Sequence, residues 1–301
     1  MSPPAPTGRR PRRRRRPTLW RGVVLALAAV YFLTPLVASF VFTVDTRDGV
    51  SFDAYTGVLG ARGFTDSLLL SLSLAVATIA LSLALAVPAL VAVRLGPGWL
   101  RPVVETVCTL PLVVPPIALV VGINTVLRWG PEHLARTPLY QTFLAVQNPT
   151  FPVVLVLAYT VTALPFVYRS LDAGLRVLDV RTLVEAARSC GAGRWYALAR
   201  VIVPNLRSAL AGASFLTLAL VLGEYTVARL LGYRPFPVWI VEIADSQGRM
   251  SVAVSILSLL VTWALLVVLS RAGAGGAASG IAAPAASGRP VRTSRDVRTP
   301  R

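Results

Sequence analysis

The chain has 301 residues, of which 55% are hydrophobic and only 14% are charged, with a mean hydropathy of +0.67 and a formal net charge of +17. Soluble domains carry roughly 25% charged residues, so this composition excludes them and favours a protein that crosses a membrane several times. All 30 basic residues are Arg, and the absence of Lys excludes a standard Walker A nucleotide-hydrolysing site. One His and two Cys cannot form a cluster of metal ligands, so we expect neither metal nor cofactor on the chain.

Six apolar runs are long enough to be candidate membrane spans. The run at 22–44 follows a basic segment, 1–21, but it is longer than the apolar part of a signal peptide, so we expect a retained transmembrane helix. The other runs lie at 67–93, 102–127, 151–167, 205–231 and 251–270. We predict one core domain over 67–270, between disordered cytoplasmic tails at 1–21 and 271–301.

The Arg residues are distributed unevenly between the loops on the two sides of the membrane. With six spans, the side that holds both termini carries 23 Arg and the opposite side carries seven. The positive-inside rule therefore predicts a multi-pass protein of the plasma (inner) membrane with both termini in the cytoplasm. Because the basic residues are scattered and the run at 9–16 contains no aromatic residue, the expected partner of this charge is membrane lipid and not nucleic acid.

Prolines interrupt the third run. Pro115 and Pro116 lie in its middle, and the polar Asn124 follows them. Proline within a span frees backbone polar groups, which is tolerated where the helix lines a cavity or is packed by its neighbours. The pattern predicts an irregular helix beside a solute path, or alternatively a helix whose kink is only structural.

The segment from Arg169 to Arg207, between the fourth and fifth runs, has two helical patterns. Asp179 is a candidate N-cap, and Gly191 lies where a helix C-cap is expected. The apolar stripes of the two helices are Val180, Leu183, Val184 and Ala187, then Trp195, Leu198, Ala199 and Ile202. Pro204 is expected to end the second helix and to occupy the first turn of the fifth span. On amphipathicity alone, the pair is either a lipid-surface element or a docking site for a protein.

The same segment resembles the EAA loop of ABC importer permeases. Glu185-Ala186-Ala187 is followed by three residues, Gly191, nine residues and Val201-Ile202-Val203-Pro204, where the family has E-A-A, three residues, G, nine residues and I-x-L-P. Val201 and Val203 replace Ile and Leu, and every spacing is kept. The segment also lies on the side predicted to be cytoplasmic, as it does in the family.

The resemblance implies an all-α polytopic fold of the type I ABC importer permease, with six transmembrane helices and a coupling-helix loop between the fourth and fifth. It implies that ATP is hydrolysed on a separate ATPase subunit, so that this chain is not an enzyme. A second permease subunit, identical or homologous, and an extracytoplasmic solute-binding protein are the other implied partners. The implied ATPase contacts are Glu185, Ala186, Ala187 and Gly191, in a motif closed by Pro204; Arg188 and Arg194 are either additional contacts or solvated surface charges.

Glu224 follows a long uncharged stretch of the fifth run. Carboxylates within a membrane are costly and mark transport paths, and the alternative is a helix-end residue paired with Arg229 or Arg234. We therefore take as candidates for the translocation path Glu224, Tyr225, Pro115, Pro116 and Asn124.

Residues 223–228 and the third-run prolines are similar to permeases for polyamines such as spermidine and putrescine, ferric iron and thiamine, and some of these features occur in molybdate and sulfate permeases. The slightly acidic outer loops agree with a cationic solute. The alternative function is an ion-coupled secondary transporter, which would explain the spans but does not require the EAA pattern.

Overall fold

The computed structural model describes residues 19–46 and 49–274, and these are almost entirely helical. The predicted tails, 1–21 and 271–301, lie outside the described residues except at 19–21 and 271–274, which are helical and not disordered. In chain order, the α-helices are α1 (Leu19–Val44), α2 (Asp53–Thr56), α3 (Phe64–Leu95), α4 (Leu100–Thr109), α5 (Pro116–His133), α6 (Leu139–Val146), α7 (Val153–Val177), α8 (Val180–Ser189), α9 (Arg194–Tyr196), α10 (Val203–Asn205), α11 (Arg207–Gly223), α12 (Thr226–Leu230), α13 (Phe236–Ala244) and α14 (Gly248–Ala274). Two short antiparallel strands, β1 (Asp45–Thr46) and β2 (Gly49–Val50), form a ribbon after α1.

Four helices are long and apolar enough to cross a membrane, and two bent helix pairs are further candidates, each either a broken span or a re-entrant loop. The first pair joins Leu100–Leu112 to Pro116–His133 at 100°, and the second joins Arg194–Asn205 to Arg207–Gly223 at 78°. Counting each pair once, the described residues contain six candidate spans, which agrees with the predicted all-α polytopic fold.

Two predicted span boundaries were wrong. The fourth span was expected at 151–167, but α7 continues to Val177, and Asp172 and Arg176, one helical turn apart, pair with each other in the added part. The fifth was expected to continue to residue 231, but α11 ends at Gly223, where the backbone of Glu224 becomes extended. The segment between the fourth and fifth spans is therefore shorter than the predicted one, which was bounded by Arg169 and Arg207.

The chain divides into two compact units, and the larger comprises Leu70–Tyr233 and the chain from Thr262 onward. Its closest helix pair is α7 with α11, where small residues allow the backbones to approach. A Cβ atom on Gly174 would lie 2.5 Å from the Cβ atom of Ala209, and the Ser170 hydroxyl donates to the Ala209 carbonyl at 2.9 Å. This contact requires glycine at position 174.

An ion-pair cluster joins α3 and α7 in the same unit. The Asp172 side chain is only 8% exposed and accepts hydrogen bonds from Arg94 of α3 and from Arg176 Nε, the latter at 2.8 Å. Because a buried carboxylate without a partner is destabilising, Arg94 fixes the end of α3 against α7.

The smaller unit comprises Met1–Leu69 and Arg234–Val261. Its core is aromatic: Phe64 contacts Phe236 and Trp239 edge to face, and the Phe236 and Trp239 rings stack at 5.9 Å. The Trp239 indole N–H donates to the Arg62 carbonyl at 3.0 Å, which satisfies its polar group within the cluster. The helix α13 that supplies two of these rings was not predicted.

Candidate functional site

The α8 helix begins where the sequence predicted. The Asp179 carboxylate accepts the backbone N–H of Thr182 at 3.2 Å and the Thr182 hydroxyl at 2.7 Å, so it is the N-cap. Hydrogen bonds from the Thr182 side chain, followed by those from the Thr182 backbone, lower the pKa of Asp179. Val180 and Val184 are buried, which confirms the predicted apolar face.

The end of α8 is a Schellman motif, which confirms the predicted cap at Gly191. Gly191 has φ +83°, its N–H donates to the Arg188 carbonyl at 2.9 Å, and the Ala192 N–H donates to the Ala187 carbonyl at 3.0 Å. A Cβ atom at Gly191 would meet no atom within 4 Å, so the backbone conformation, not space, requires glycine there.

The second predicted stripe was partly wrong, because residues 197–202 form a π-helical turn and not an α-helix. A wider turn changes the spacing of the buried positions. Ala197 and Ile202, five residues apart, are buried, whereas Trp195 is 75% exposed and Ala199 is also exposed.

We call the segment Asp179–Leu206 the surface hairpin, because α8 packs against the π-helical turn of the second arm. On its surface Glu185 and Ala186 are exposed and Ala187 is half-buried. Pro204 lies in α10 and is exposed, so it precedes the bend at Leu206 and does not lie in the first turn of the following helix as predicted. The exposed part of α8 thus carries the Glu185 carboxylate and the short Ala186 side chain beside exposed Arg residues.

The third span is broken where its prolines predicted an irregularity. Pro115 has an extended backbone and precedes Pro116, the first residue of α5. Both prolines and Asn124 are exposed. An apolar groove of about 680 Å³ runs along α5, α6 and α7, but its lining does not include these three residues.

Glu224 caps the helix that follows it. Its Oε1 atom accepts the N–H of Thr226 at 3.1 Å, and each carboxylate oxygen accepts the N–H of Val227 at 3.1 Å. The half-buried Glu224 therefore caps α12 with its carboxylate. Of the two Arg partners named in the alternative interpretation, Arg234 pairs with Glu242, and the place of Glu224 in the translocation path stays a prediction. Tyr225 is 36% exposed, and α12 packs against α5 and α7.

We call Gly223–Gly232 the Glu224 turn. It ends in a second Schellman motif, in which Gly232 has φ +83° and the Tyr233 N–H donates to the Ala228 carbonyl at 3.0 Å.

Sequence reasoning missed the Asp172 ion pairs. The spacing of Asp172 and Arg176 is a signal for their pairing, but both residues fall in the predicted loop from Arg169 to Arg207, and the contact with Arg94 depends on the tertiary fold. Among the described residues, no group of three or more His, Cys, Asp or Glu side chains could hold a metal ion.

Residues 78–274 match the model of the binding-protein-dependent transport system inner membrane component family. The chain belongs to this family. It is therefore an inner-membrane permease subunit of an ABC importer and not an enzyme, because ATP hydrolysis in such systems takes place on a partner ATPase. Permeases of this family work with ATPase subunits, a second permease and a solute-binding protein, which are the partner classes expected from the sequence.

The relatives are all named as permeases. The chain is 29% identical to the ABC transporter permease protein y4fN of Sinorhizobium fredii over 83% of this chain, but it spans only 45% of that relative. It is 29% identical to a molybdenum ABC transporter permease of Haloferax volcanii, over 75% of this chain and 82% of the relative. It is 24% identical to the 2-aminoethylphosphonate transport system permease PhnV of Salmonella typhimurium, over 83% of this chain and 92% of the relative.

Solved structures share the fold. The chain aligns with a bacterial ABC transporter involved in the import of the acidic polysaccharide alginate, with a TM-score of 0.54 and 16% identity over 85% of this chain and 98% of that chain. These comparisons do not support the narrower resemblance to polyamine, ferric iron and thiamine permeases, and they do not favour the ion-coupled secondary transporter.

Proposed function

We propose that the surface hairpin is the element through which the partner ATPase drives this permease. The observation that carries the proposal is the Schellman cap at Gly191, which ends α8 about one turn after the exposed Glu185 and Ala186. The cap re-aims the chain, so α8 is presented as a short projecting helix, which is the helix-in-groove form of recognition.

Each residue of the motif has a physical role in this proposal. Ala186 allows a partner backbone to approach closely, and Glu185 is available to pair with an Arg of the ATPase. The half-buried Ala187 and the carbonyl that it contributes to the cap hold α8 against the second arm. Pro204 restricts the backbone just before the bend at Leu206, so a displacement of the hairpin is transmitted to α11.

The test is co-purification from membranes in mild detergent. Glu185→Ala should lower recovery of the ATPase at least tenfold while leaving the amount of permease in the membrane unchanged. Glu105→Ala is the matched control, because Glu105 is also an exposed carboxylate on a helix of the same unit. Equal ATPase recovery with both variants would contradict the docking role of the hairpin.

We further propose that the breaks at Pro115 and Glu224 border the translocation path. A break within a span leaves the N-terminus of a half-helix facing the membrane interior, and such an N-terminus favours negative charge. The 18-residue α5 begins at the first break, and α12, which follows the second, packs against α5. Asn124 and Tyr225 add polar groups on the exposed surfaces of the same elements.

The N-terminus of α5 at the first break favours an anionic solute over the cationic one suggested by the outer loops, whereas the backbone amides at the start of α12 are already occupied by the Glu224 carboxylate. Two relatives are named for molybdenum, which exists in neutral water as an oxyanion, and for 2-aminoethylphosphonate, which carries a phosphonate group. We propose a small oxyanion of this chemical class. Thermal-shift assays of the co-purifying binding protein should show stabilisation by molybdate or 2-aminoethylphosphonate. Stabilisation by spermidine, ferric iron or thiamine alone would contradict the proposal.

We propose that the hairpin and both termini lie in the cytoplasm. Single cysteines are introduced into a chain in which both native cysteines are replaced. Those at Gly49→Cys and His133→Cys should react with a thiol reagent supplied from outside, and the one at Ala192→Cys should react only with reagent supplied from inside. Labelling of position 192 from outside would reverse the orientation and separate the hairpin from any cytoplasmic ATPase.

A further inference from the structure

A groove lies between the end of α3 and the surface hairpin, within the larger unit. It has a volume of about 760 Å³, which is in the range of small-molecule sites. We call it the hairpin groove. Its apolar lining includes Val91, Leu95, Val184, Leu198 and Ile202.

The charges at the hairpin groove are predominantly basic. Arg181 and Arg188 lie seven residues apart on one face of α8, Arg194 begins the second arm, and Glu185 is the only acidic residue in the lining. All three Arg residues are exposed. Within the described ranges, 19–46 and 49–274, neither Arg188 nor Arg194 has a carboxylate within ion-pair distance.

The position of the groove matches the surface of a membrane. Leu95 is the last residue of α3, a candidate span, so the apolar lining begins where that span ends. Trp195, also in the lining, is 75% exposed, and tryptophan is enriched at the level of lipid headgroups. An apolar base that continues from a span, under a basic rim with an aromatic residue, suits a lipid better than a soluble anion or a protein.

We propose that the hairpin groove binds an anionic phospholipid, with its phosphate between Arg181, Arg188 and Arg194 and the first part of an acyl chain on the apolar base. Basic pockets beside membrane helices bind anionic headgroups in this way. The bound lipid would bridge α3 and α8 and thereby set the position of the hairpin, so that lipid composition regulates it. Glu185, the proposed ATPase contact, also lines the groove, so the lipid and the ATPase would meet the same face of α8. The inference still goes beyond the proposed function, because lipid binding by itself does not require that the hairpin dock an ATPase.

The experiment measures quenching of Trp195 fluorescence by brominated lipid. The purified full chain, with the subunits that co-purify, is reconstituted in vesicles that contain equal mole fractions of brominated phosphatidylglycerol or brominated phosphatidylcholine. The Trp195 contribution is the difference between the chain and its Trp195→Phe variant. We expect the anionic lipid to be preferred at least tenfold, because three Arg residues surround the proposed position of the phosphate.

Three variants distinguish a specific lipid site in the hairpin groove from general attraction to an anionic membrane surface. The triple variant Arg181→Gln, Arg188→Gln, Arg194→Gln should lose the preference. The control Arg101→Gln, Arg169→Gln, Arg200→Gln, which removes three other exposed Arg of the same unit, should keep it. Ala92→Phe fills the groove at an exposed position without removing charge and should also lose the preference, which covers the case in which the triple variant does not fold.

Four results would overturn the inference. Equal quenching by the two lipids, or equal loss of preference in both triple variants, would leave only general attraction to an anionic surface. Loss of the preference on addition of inorganic phosphate would make the groove a site for a free anion. Complete exclusion of brominated lipid whenever the ATPase co-purifies would make it a protein interface.

Discussion

The surface hairpin and the Glu224 turn use the same local structures for different purposes. Glu185 lies within α8 of the hairpin and Glu224 precedes α12, and each of these helices ends in a Schellman motif at a glycine with φ +83°. In the Glu224 turn the carboxylate is engaged by backbone N–H groups of its own segment, whereas Glu185 is exposed on the hairpin. The comparison teaches that a carboxylate with local partners stabilises the permease, while an exposed one is available to another subunit.

The largest effect on stability is expected at Glu224. Glu224→Ala removes the acceptor for the N–H groups of Thr226 and Val227 and should lower the free energy of unfolding by about 2 kcal/mol. Thermal unfolding of the purified permease in detergent measures this.

Glu224→Gln separates the cap from the charge, because the amide oxygen still accepts one hydrogen bond. It should unfold close to the wild type but change the rate of uptake of an anionic solute if Glu224 borders the path, because the variant removes a negative charge there. Unchanged uptake would remove Glu224 from the path and leave the cap as its only role.

The next effect is expected at the hairpin glycines. Gly191→Ala places a side chain at φ +83° and should cost about 1 kcal/mol, whereas Gly193→Ala, at φ −69° with no atom within 4 Å of its Cβ position, should cost much less. Hydrogen exchange of the Ala192 N–H reports the integrity of the cap. Equal protection in the two variants would mean that the Schellman motif does not fix the hairpin.

Glu185→Ala should change the free energy of unfolding by no more than about 0.5 kcal/mol, because no hydrogen bond to the Glu185 carboxylate is recorded within residues 19–46 and 49–274. The comparison predicts that this variant unfolds like the wild type and loses the ATPase. A strongly destabilised Glu185→Ala permease would make Glu185 a structural residue like Glu224.

The smallest effect concerns pH at the start of α8. Because hydrogen bonds from Thr182 lower the pKa of Asp179 in the folded state, the stabilisation is present above the ordinary aspartate pKa and is lost as the pH falls through the lowered value. Hydrogen exchange of the Thr182 N–H, corrected for its intrinsic pH dependence, should show this loss of protection. Asp179→Asn keeps a capping oxygen that does not titrate, and its protection should not change over the same pH range.

The features that could be predicted from the sequence are those that depend on neighbouring residues, and the features that could not be predicted depend on distant ones. The cap at Asp179 and the turn at Gly191 depend on neighbouring residues, so spacing alone located them. The π-helical turn of the second arm and the pairing of Arg94 with Asp172 depend on packing between distant segments, and no local pattern indicated them. Prolines marked the break in the third span, but not the 100° change of direction there.

The central claim is that α8 contacts the ATPase, and the exposed Cys190 at its end allows a direct test. With Cys108→Ser removing the other thiol, a maleimide photo-cross-linker on Cys190 can be activated in membranes that hold the assembled transporter. Mass spectrometry then identifies what is joined to the permease. If α8 contacts the ATPase, Cys190 should cross-link to the ATPase, and this cross-link should be lost with Glu185→Ala and kept with Glu105→Ala. Cross-links to lipid or to a second permease alone would contradict it.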